Sequence, residues 1–138
     1  MKPIIAALPF FLLTGCTSPS FNPSHQTTAP TPKTILYRYT MPADAIVAAH
    51  TLVSHDLKDP DSVRFRDAFV ITSDANGENR NRSKDSWCVE VNAKNSYGGY
   101  VGYTWALVPA GSKTVIMGGS ATGIMATQIC ASAIYPPA

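Results

Sequence analysis

The chain has 138 residues, and its 11 Lys and Arg against 9 Asp and Glu leave a formal net charge of only +2. A nucleic-acid-binding protein typically carries a clustered basic patch, whereas the basic stretch at residues 78–84 is interleaved with acids, contains no aromatic residue and is interpreted as a solvated loop. After the first 33 residues, 105 remain, which is enough for one domain with a real core and too few for two.

Residues 1–15 are predicted to be a signal peptide. Lys2 precedes a ten-residue, mostly apolar run at 4–13. A helix that spans a bilayer needs about 20 apolar residues, so this run is too short to span and suits the apolar region of a secretory signal. The motif Leu13-Thr14-Gly15-Cys16 then resembles the lipobox of bacterial lipoproteins. The resemblance implies cleavage before Cys16, a diacylglyceryl thioether on its sulfur and an acyl chain, such as palmitate, on its new amine. An ordinary secreted protein, or a short buried helix that ends at this cysteine, is the alternative.

The lipobox resemblance also implies a location. Two or more acyl chains anchor a protein stably, whereas one gives marginal binding, so the mature chain would be held at a membrane by its lipid without spanning it. In Gram-negative lipoproteins of this kind, Asp after the cysteine retains the protein in the inner membrane. Thr17 stands there, which implies the outer membrane with the domain facing the periplasm. Inner-membrane anchoring and surface exposure stay open.

Residues 16–33 comprise the lipidated cysteine and a segment rich in Pro, Ser and Thr. Such a composition cannot build a packed core. We interpret this segment as a tether, whose reach as a flexible coil is about 20–25 Å.

Residues 34–138 are predicted to form a single α+β periplasmic domain. Alternation of apolar and polar residues indicates strands, and near-helical spacing of apolar residues indicates a helix. The predicted helix face consists of Ile46, Val47, His50, Val53 and Leu57. In chain order the elements are a strand at 34–40, a helix at 42–58, a strand within 61–72, a polar loop at 73–85, strands at 87–91 and 101–107, and a strand at 113–118. We therefore predict one N-terminal helix packed on a three- to four-stranded antiparallel sheet. For the tail at 120–138, the sequence is compatible with either a helix of small residues or an irregular segment that covers the sheet.

The cysteine count predicts a single disulfide. Cys16, Cys88 and Cys130 are an odd number for an exported protein, and lipidation of Cys16 leaves an even pair. In an oxidising periplasm such a pair is typical of a disulfide, here Cys88–Cys130. Two separate buried thiols are the alternative. If Val89 and the residues two positions before and after it face the helix, Cys88 points to the other face of the sheet. The C-terminal segment is therefore expected to cross that second face.

Glycines at 98, 99 and 102 lie between the two strands of the predicted hairpin. Their spacing matches neither the dinucleotide fingerprint nor the P-loop, and glycine in such a place usually permits positive φ or a bulge. We favour hairpin geometry over ligand binding, although the two can coexist because loops on rigid strands often carry function. The candidate interaction loop consists of Asn95, Tyr97, Tyr100 and Tyr103.

No residue pattern predicts catalysis, a metal site or a cofactor. His50 and His55 are five residues apart on the predicted helix, whereas two zinc ligands on one helix prefer a separation of four. Carboxylates lie mostly at turns, and the nucleophile-elbow motif G-x-S-x-G is absent from the sequence. We therefore predict a protein that is not an enzyme and binds no metal, cofactor or nucleic acid.

Two segments, at 58–67 and 88–103, resemble a signature of small, mostly uncharacterised bacterial proteins, many of them exported. In that family D-P-x-S-x-x-F precedes C-G-x-V-N-x-K-N-x-x-G-G-Y. The matching residues are Asp59, Pro60, Ser62, Phe65, Cys88, Val91, Asn92, Lys94, Asn95, Gly98, Gly99 and Tyr100. Val89 stands where the family has glycine. The resemblance implies a domain type and no activity.

These features together predict that the protein acts by contacting other molecules of the cell envelope and not by catalysis. We expect a lipid-anchored envelope lipoprotein with a non-catalytic protein-interaction or structural role and an unidentified envelope protein partner. Its contact surface would be the tip of the hairpin, because large amphipathic side chains are favoured at interfaces. A periplasmic inhibitor of a lysozyme-like hydrolase, and an accessory component of a secretion, conjugation or phage-associated system, are the alternatives.

Overall fold

The computed structural model describes residues 33–119 and 123–137. The predicted signal peptide, Cys16 and the predicted tether up to residue 32 lie outside the described residues. The strands are β1 (Tyr37–Thr40), β2 (Arg64–Thr72), β3 (Ser86–Asn92), β4 (Thr104–Val108) and β5 (Ile116–Met117), and the helices are α1 (Ala43–His55) and α2 (Gly123–Ser132). Three short 3-10 turns lie at Pro60–Ser62, Gly77–Asn79 and Arg82–Lys84.

The five strands form one antiparallel meander in the order β1-β2-β3-β4-β5. Tyr37 pairs with Thr72 at one end of the sheet, and Arg64 pairs with Asn92 at the other. Because β2 has nine residues, these ends lie about 26 Å apart at a rise of about 3.3 Å per residue. The chain therefore enters the sheet at one end, and the β3–β4 connection lies at the opposite end.

Helix α1 covers the first face of the sheet. Asp44 lies in its first turn, where a carboxylate interacts favourably with the helix dipole. Ala49 and Val53 of the helix are buried against the sheet. The sheet residues of this core are Val70, Val89, Val91, Ala106 and Val108. The prediction for the helix face was wrong at Val47, which is 65% exposed.

Helix α2 covers the second face, and the predicted disulfide is confirmed. Cys88 and Cys130 are bonded with their Cα atoms 5.7 Å apart, and both are buried. The second core contains Phe69, Ile71 and Leu107 from the sheet together with Ala126 of α2. The expectation that the C-terminal segment crosses this face is thus correct, and the tail forms a helix.

The α+β class and the antiparallel sheet are confirmed, but the predicted count of elements was too low. The sheet has five strands and not three or four, because the short β1 and the two-residue β5 both pair with their neighbours. A second helix, α2, accompanies α1, and Gly118 and Gly123 allow the backbone to approach closely near its start. A Cβ atom at Gly123 would lie 1.9 Å from the Met117 carbonyl oxygen.

Candidate functional site

Residues 93–103 connect β3 to β4, and we call this segment the hairpin tip. Asn95 closes its turn, because its Oδ1 accepts the backbone N–H groups of Tyr97 at 2.9 Å and Gly99 at 3.1 Å. The Asn95 backbone N–H donates to the Gly99 carbonyl at 2.9 Å. Gly98 has a φ of +81°, a backbone conformation that residues other than glycine rarely adopt. The glycine-permitted hairpin turn is therefore confirmed, and the Asn95 oxygen is used within it.

The hairpin tip is fastened to the 3-10 turn before β2. The Tyr100 hydroxyl donates to the Ser62 carbonyl at 2.7 Å. Ser62 Oγ accepts the backbone N–H of Lys94 at 3.3 Å and itself donates to the Asp59 carbonyl at 2.9 Å. These bonds join the two segments that carry the family resemblance. Ser62 therefore supports the tip as well as closing its own turn.

Three basic side chains surround the fastened tip, and we call Lys58, Arg64 and Lys94 the tip cations. Lys58 Nζ donates to Ser96 Oγ at 3.0 Å. The Arg64 guanidinium carbon lies 4.2 Å from the centre of the Tyr100 ring, and Lys94 Nζ lies 5.9 Å from it. Each exposed cation–aromatic contact is worth about 0.5–1 kcal/mol. Among the described residues none of the three forms an ion pair with a carboxylate.

A second cation–aromatic pair joins Tyr103, the last residue of the tip, to Arg66 of β2. The Arg66 guanidinium carbon is 4.3 Å from the Tyr103 ring centre. Arg66 Nε donates to Glu90 Oε2 at 2.7 Å, and its Nη2 contacts the other carboxylate oxygen. The hydrogen bond to Glu90 is the main cause that raises the pKa of Arg66 above its ordinary value. This pair carries no excess charge, because the carboxylate matches the guanidinium.

The apex of the tip is open to solvent. Tyr97 is 97% exposed and Val101 is 76% exposed. Tyr100 and Tyr103 are also exposed, but one face of each ring is occupied by an arginine. The structure thus brings the four predicted loop residues together and divides their roles. Asn95 closes the turn, Tyr100 attaches the turn to Ser62, Tyr103 stacks with Arg66, and Tyr97 projects into solvent.

Sequence reasoning missed that the polar loop between β2 and β3 is built around packed charges. Arg80 and Asp85 form a two-point ion pair at 3.2 and 3.0 Å with side chains only 7% and 8% exposed. The Arg80 guanidinium also stacks on Tyr39, with its carbon 4.3 Å from the ring centre. The basic stretch therefore contains one buried arginine, and the interpretation as a fully solvated loop was wrong there. The polar composition of residues 73–85 gave no hydrophobic signal for this packing.

Asp74 organises the same loop by accepting three hydrogen bonds. The donors are the Asn76 backbone N–H at 3.0 Å, the Asn76 side-chain amide at 2.7 Å and the Asn81 backbone N–H at 3.0 Å. The backbone hydrogen bond from Asn76, followed by that from Asn81, lowers the pKa of Asp74. These bonds favour the ionised carboxylate.

A shallow groove beside α1 holds the two histidines. It has a volume of about 550 Å³ and is lined by Val47, His50, Thr51, Ser54, His55, Pro60 and Asp61. His50 stacks on Phe65 with ring centres 3.7 Å apart, and burial lowers its pKa. Within the described part of the chain, no three His, Cys, Asp or Glu side chains are grouped to hold a metal ion. His50 therefore acts as a packing residue.

Comparison with known proteins adds no relative: no family model, curated protein or solved structure matches this chain. In residues 33–119 and 123–137, neither helix has the length and apolar character to cross a bilayer.

Proposed function

We propose that this chain is a lipid-anchored lipoprotein of the cell envelope, held in the outer membrane through Cys16 with its domain facing the periplasm. Its domain acts by contact and not by catalysis, and the hairpin tip binds a protein partner. The lipobox-like motif ending at Cys16 supports the lipid anchor. The observation that carries the contact role is the exposure of Tyr97 on a turn that is closed and fastened by hydrogen bonds.

Rigidity of the tip supports a binding role. A loop that is already ordered loses less conformational entropy on binding than a flexible one. Asn95 and Tyr100 hold the backbone on both sides of Tyr97 through hydrogen bonds to Gly99 and Ser62. Tyrosine and arginine are also enriched among residues that dominate binding energy. The tip thus presents an aromatic side chain on a backbone that is already ordered.

The position of the tip supports the same proposal. The chain enters the domain at the sheet end where Tyr37 pairs with Thr72, and the tip lies at the other end, beyond Arg64 and Asn92. A domain attached at its entry end would present the tip away from the attachment. Such an arrangement suits contact with a partner in the periplasm.

Two experiments test the proposal separately. Palmitate labelling in growing bacteria should mark the wild-type protein and not the Cys16→Ser variant, and equal labelling would contradict the lipid anchor. Crosslinking in intact envelopes, with the lipidated protein as bait, should recover a specific envelope protein. Recovery of lipoprotein-sorting factors alone would contradict the contact role.

The recovered partner also decides between the narrower functions. A lysozyme-like hydrolase bound tightly by the purified chain would support an inhibitor, with the tip placed in the cleft of the enzyme. Co-purification with several membrane proteins would support an accessory part of an envelope machine. Loss of either interaction on substitution of Tyr97 would connect it to the tip.

A further inference from the structure

The tip cations are exposed, and none of them forms an ion pair within the described residues. The whole chain has 11 basic and 9 acidic residues, and within residues 33–119 and 123–137 three ion pairs join Arg38 to Asp67, Arg66 to Glu90 and Arg80 to Asp85. None of the tip cations takes part in these pairs, and all three side chains are exposed. Three exposed cations without an ion pair therefore lie around Tyr100 and Ser96.

The carboxylates nearest along the chain do not cancel this charge by pairing. Asp59 and Asp61 lie in the turn to which the tip is fastened, and neither forms an ion pair within the described residues. Asp61 lines the groove beside α1, which lies on the first face of the sheet. Arg64 aligns with Asn92 and therefore lies on the second face with Cys88 and Glu90. Arg64 is thus on the opposite face of the sheet from Asp61.

Arg64 is held in position for a carboxylate. Its guanidinium stacks on the Tyr100 ring at 4.2 Å, and the ring is fixed by its hydroxyl bond to Ser62. A stacked guanidinium keeps its N–H donors at its edge, where they can bind a carboxylate through two parallel hydrogen bonds. Lys94 adds a second positive charge at the same ring.

The apex residues decide between a membrane and a protein as the binding partner. Basic and aromatic residues together can bind an anionic lipid surface. However, the apex carries one large aromatic ring, Tyr97, and its basic side chains are three rather than an extended basic patch. Tyr97 is a single projecting ring, and such a side chain typically fills a pocket on a protein partner.

We infer that the hairpin tip recognises an acidic protein surface, in which a pocket for the Tyr97 ring is bordered by Asp or Glu side chains that face Arg64 and Lys94. The inference rests on the proposed contact function and adds the chemistry of the partner. Complementary charges of this kind steer association and fix the register of the complex.

The test places p-benzoylphenylalanine at position 97 of the full-length chain and irradiates intact cells. The yield of the protein adduct is then measured for Arg64→Glu and Lys94→Glu, and the crosslinked peptide of the partner is mapped. Lys113→Glu is the matched control, because Lys113 is exposed and lies beside Leu52 and Val115, away from the tip. Lys94→Gln and Lys94→Arg separate the loss of charge from damage to the turn.

The inference predicts an adduct whose mapped peptide is flanked by Asp or Glu. Each charge reversal at the tip should lower its yield about tenfold, while the control leaves it unchanged, Lys94→Arg retains it and Lys94→Gln gives an intermediate value. Equal yields for Lys94→Glu and wild type, or a peptide without acidic neighbours, would overturn the acidic partner and leave the contact function standing. Adducts with lipid or glycan only, or no adduct at all, would overturn both.

Discussion

Reduction of the Cys88–Cys130 disulfide should cost this domain a large part of its stability. The bond joins the central strand β3 to α2 across 42 positions of sequence. On the chain-entropy account, opening a loop of that length lowers the free energy of unfolding by about 4 kcal/mol. For a domain of this size, each kcal/mol shifts the melting temperature by roughly 4–8 °C, so a fall of roughly 15–30 °C is expected.

Urea unfolding of the oxidised protein, the reduced protein and a Cys88→Ala/Cys130→Ala variant measures this cost. The double variant should lose somewhat more than the reduced protein, because both sulfurs are buried and their removal leaves a small cavity. Equal free energies of unfolding for the oxidised and reduced proteins would refute the reasoning.

Hydrogen exchange locates the same effect within the fold. Reduction releases α2 from the second face, where it covers Phe69 and Leu107, whereas the packing of Ala49 and Val53 of α1 against the first face contains no disulfide. Amides of α2 should therefore exchange faster after reduction, and those of α1 should change less. A uniform increase across both helices would contradict the assignment of the disulfide to the second face.

Three further substitutions and one control test individual contacts. Gly123→Ala should lower the free energy of unfolding, measured in urea, by about 1–3 kcal/mol, because the new Cβ would lie 1.9 Å from a backbone oxygen. Gly99→Ala is the control: its Cβ would meet only a side chain, at 3.8 Å, and it should change the free energy of unfolding by less than about 0.5 kcal/mol. Tyr100→Phe should cost about 1 kcal/mol through the lost bond to the Ser62 carbonyl and speed hydrogen exchange in the tip; unchanged exchange there would show that this bond does not fasten it. Since the folded-state pKa of Asp74 is lowered, its ionised form stabilises the fold above the ordinary carboxyl pKa, and this contribution is lost as pH falls through and below that value. Thermal melts should therefore show Asp74→Asn less stable than wild type at neutral pH and the difference shrinking in acid; a constant difference would contradict this.

The sheet and the disulfide were predictable because their signals are local and periodic. Alternation around Val89 placed Cys88 on the second face, and the second core confirms that placement. Helix α1 was likewise evident from its apolar spacing and from Pro60 beyond its end. At Val47 the spacing was misleading, because several neighbouring positions fit one apolar stripe and only packing selects among them.

The attachment of the hairpin tip could not be predicted, because it depends on contacts between distant segments. Tyr100 and Ser62 are separated by 38 residues along the chain, and no local pattern couples a tyrosine hydroxyl to a particular carbonyl. The same holds for Arg80 stacked on Tyr39. That the two segments with the family-like signature mark a domain type stays a prediction, and the structure joins them directly through the bond from Tyr100 to Ser62.

The proposed contact function is tested most directly by the partner recovered per mole of bait in envelope crosslinking. Wild type should be compared with Tyr97→Ala/Val101→Ser at the tip and with Ile124→Ser, a matched apolar position on α2 that is 64% exposed. The tip variant should recover at least about tenfold less partner, as expected when a central anchor residue is lost, while the α2 variant recovers the wild-type amount. Equal recovery by the tip variant and wild type, or loss with Ile124→Ser alone, would contradict a contact role for the hairpin tip.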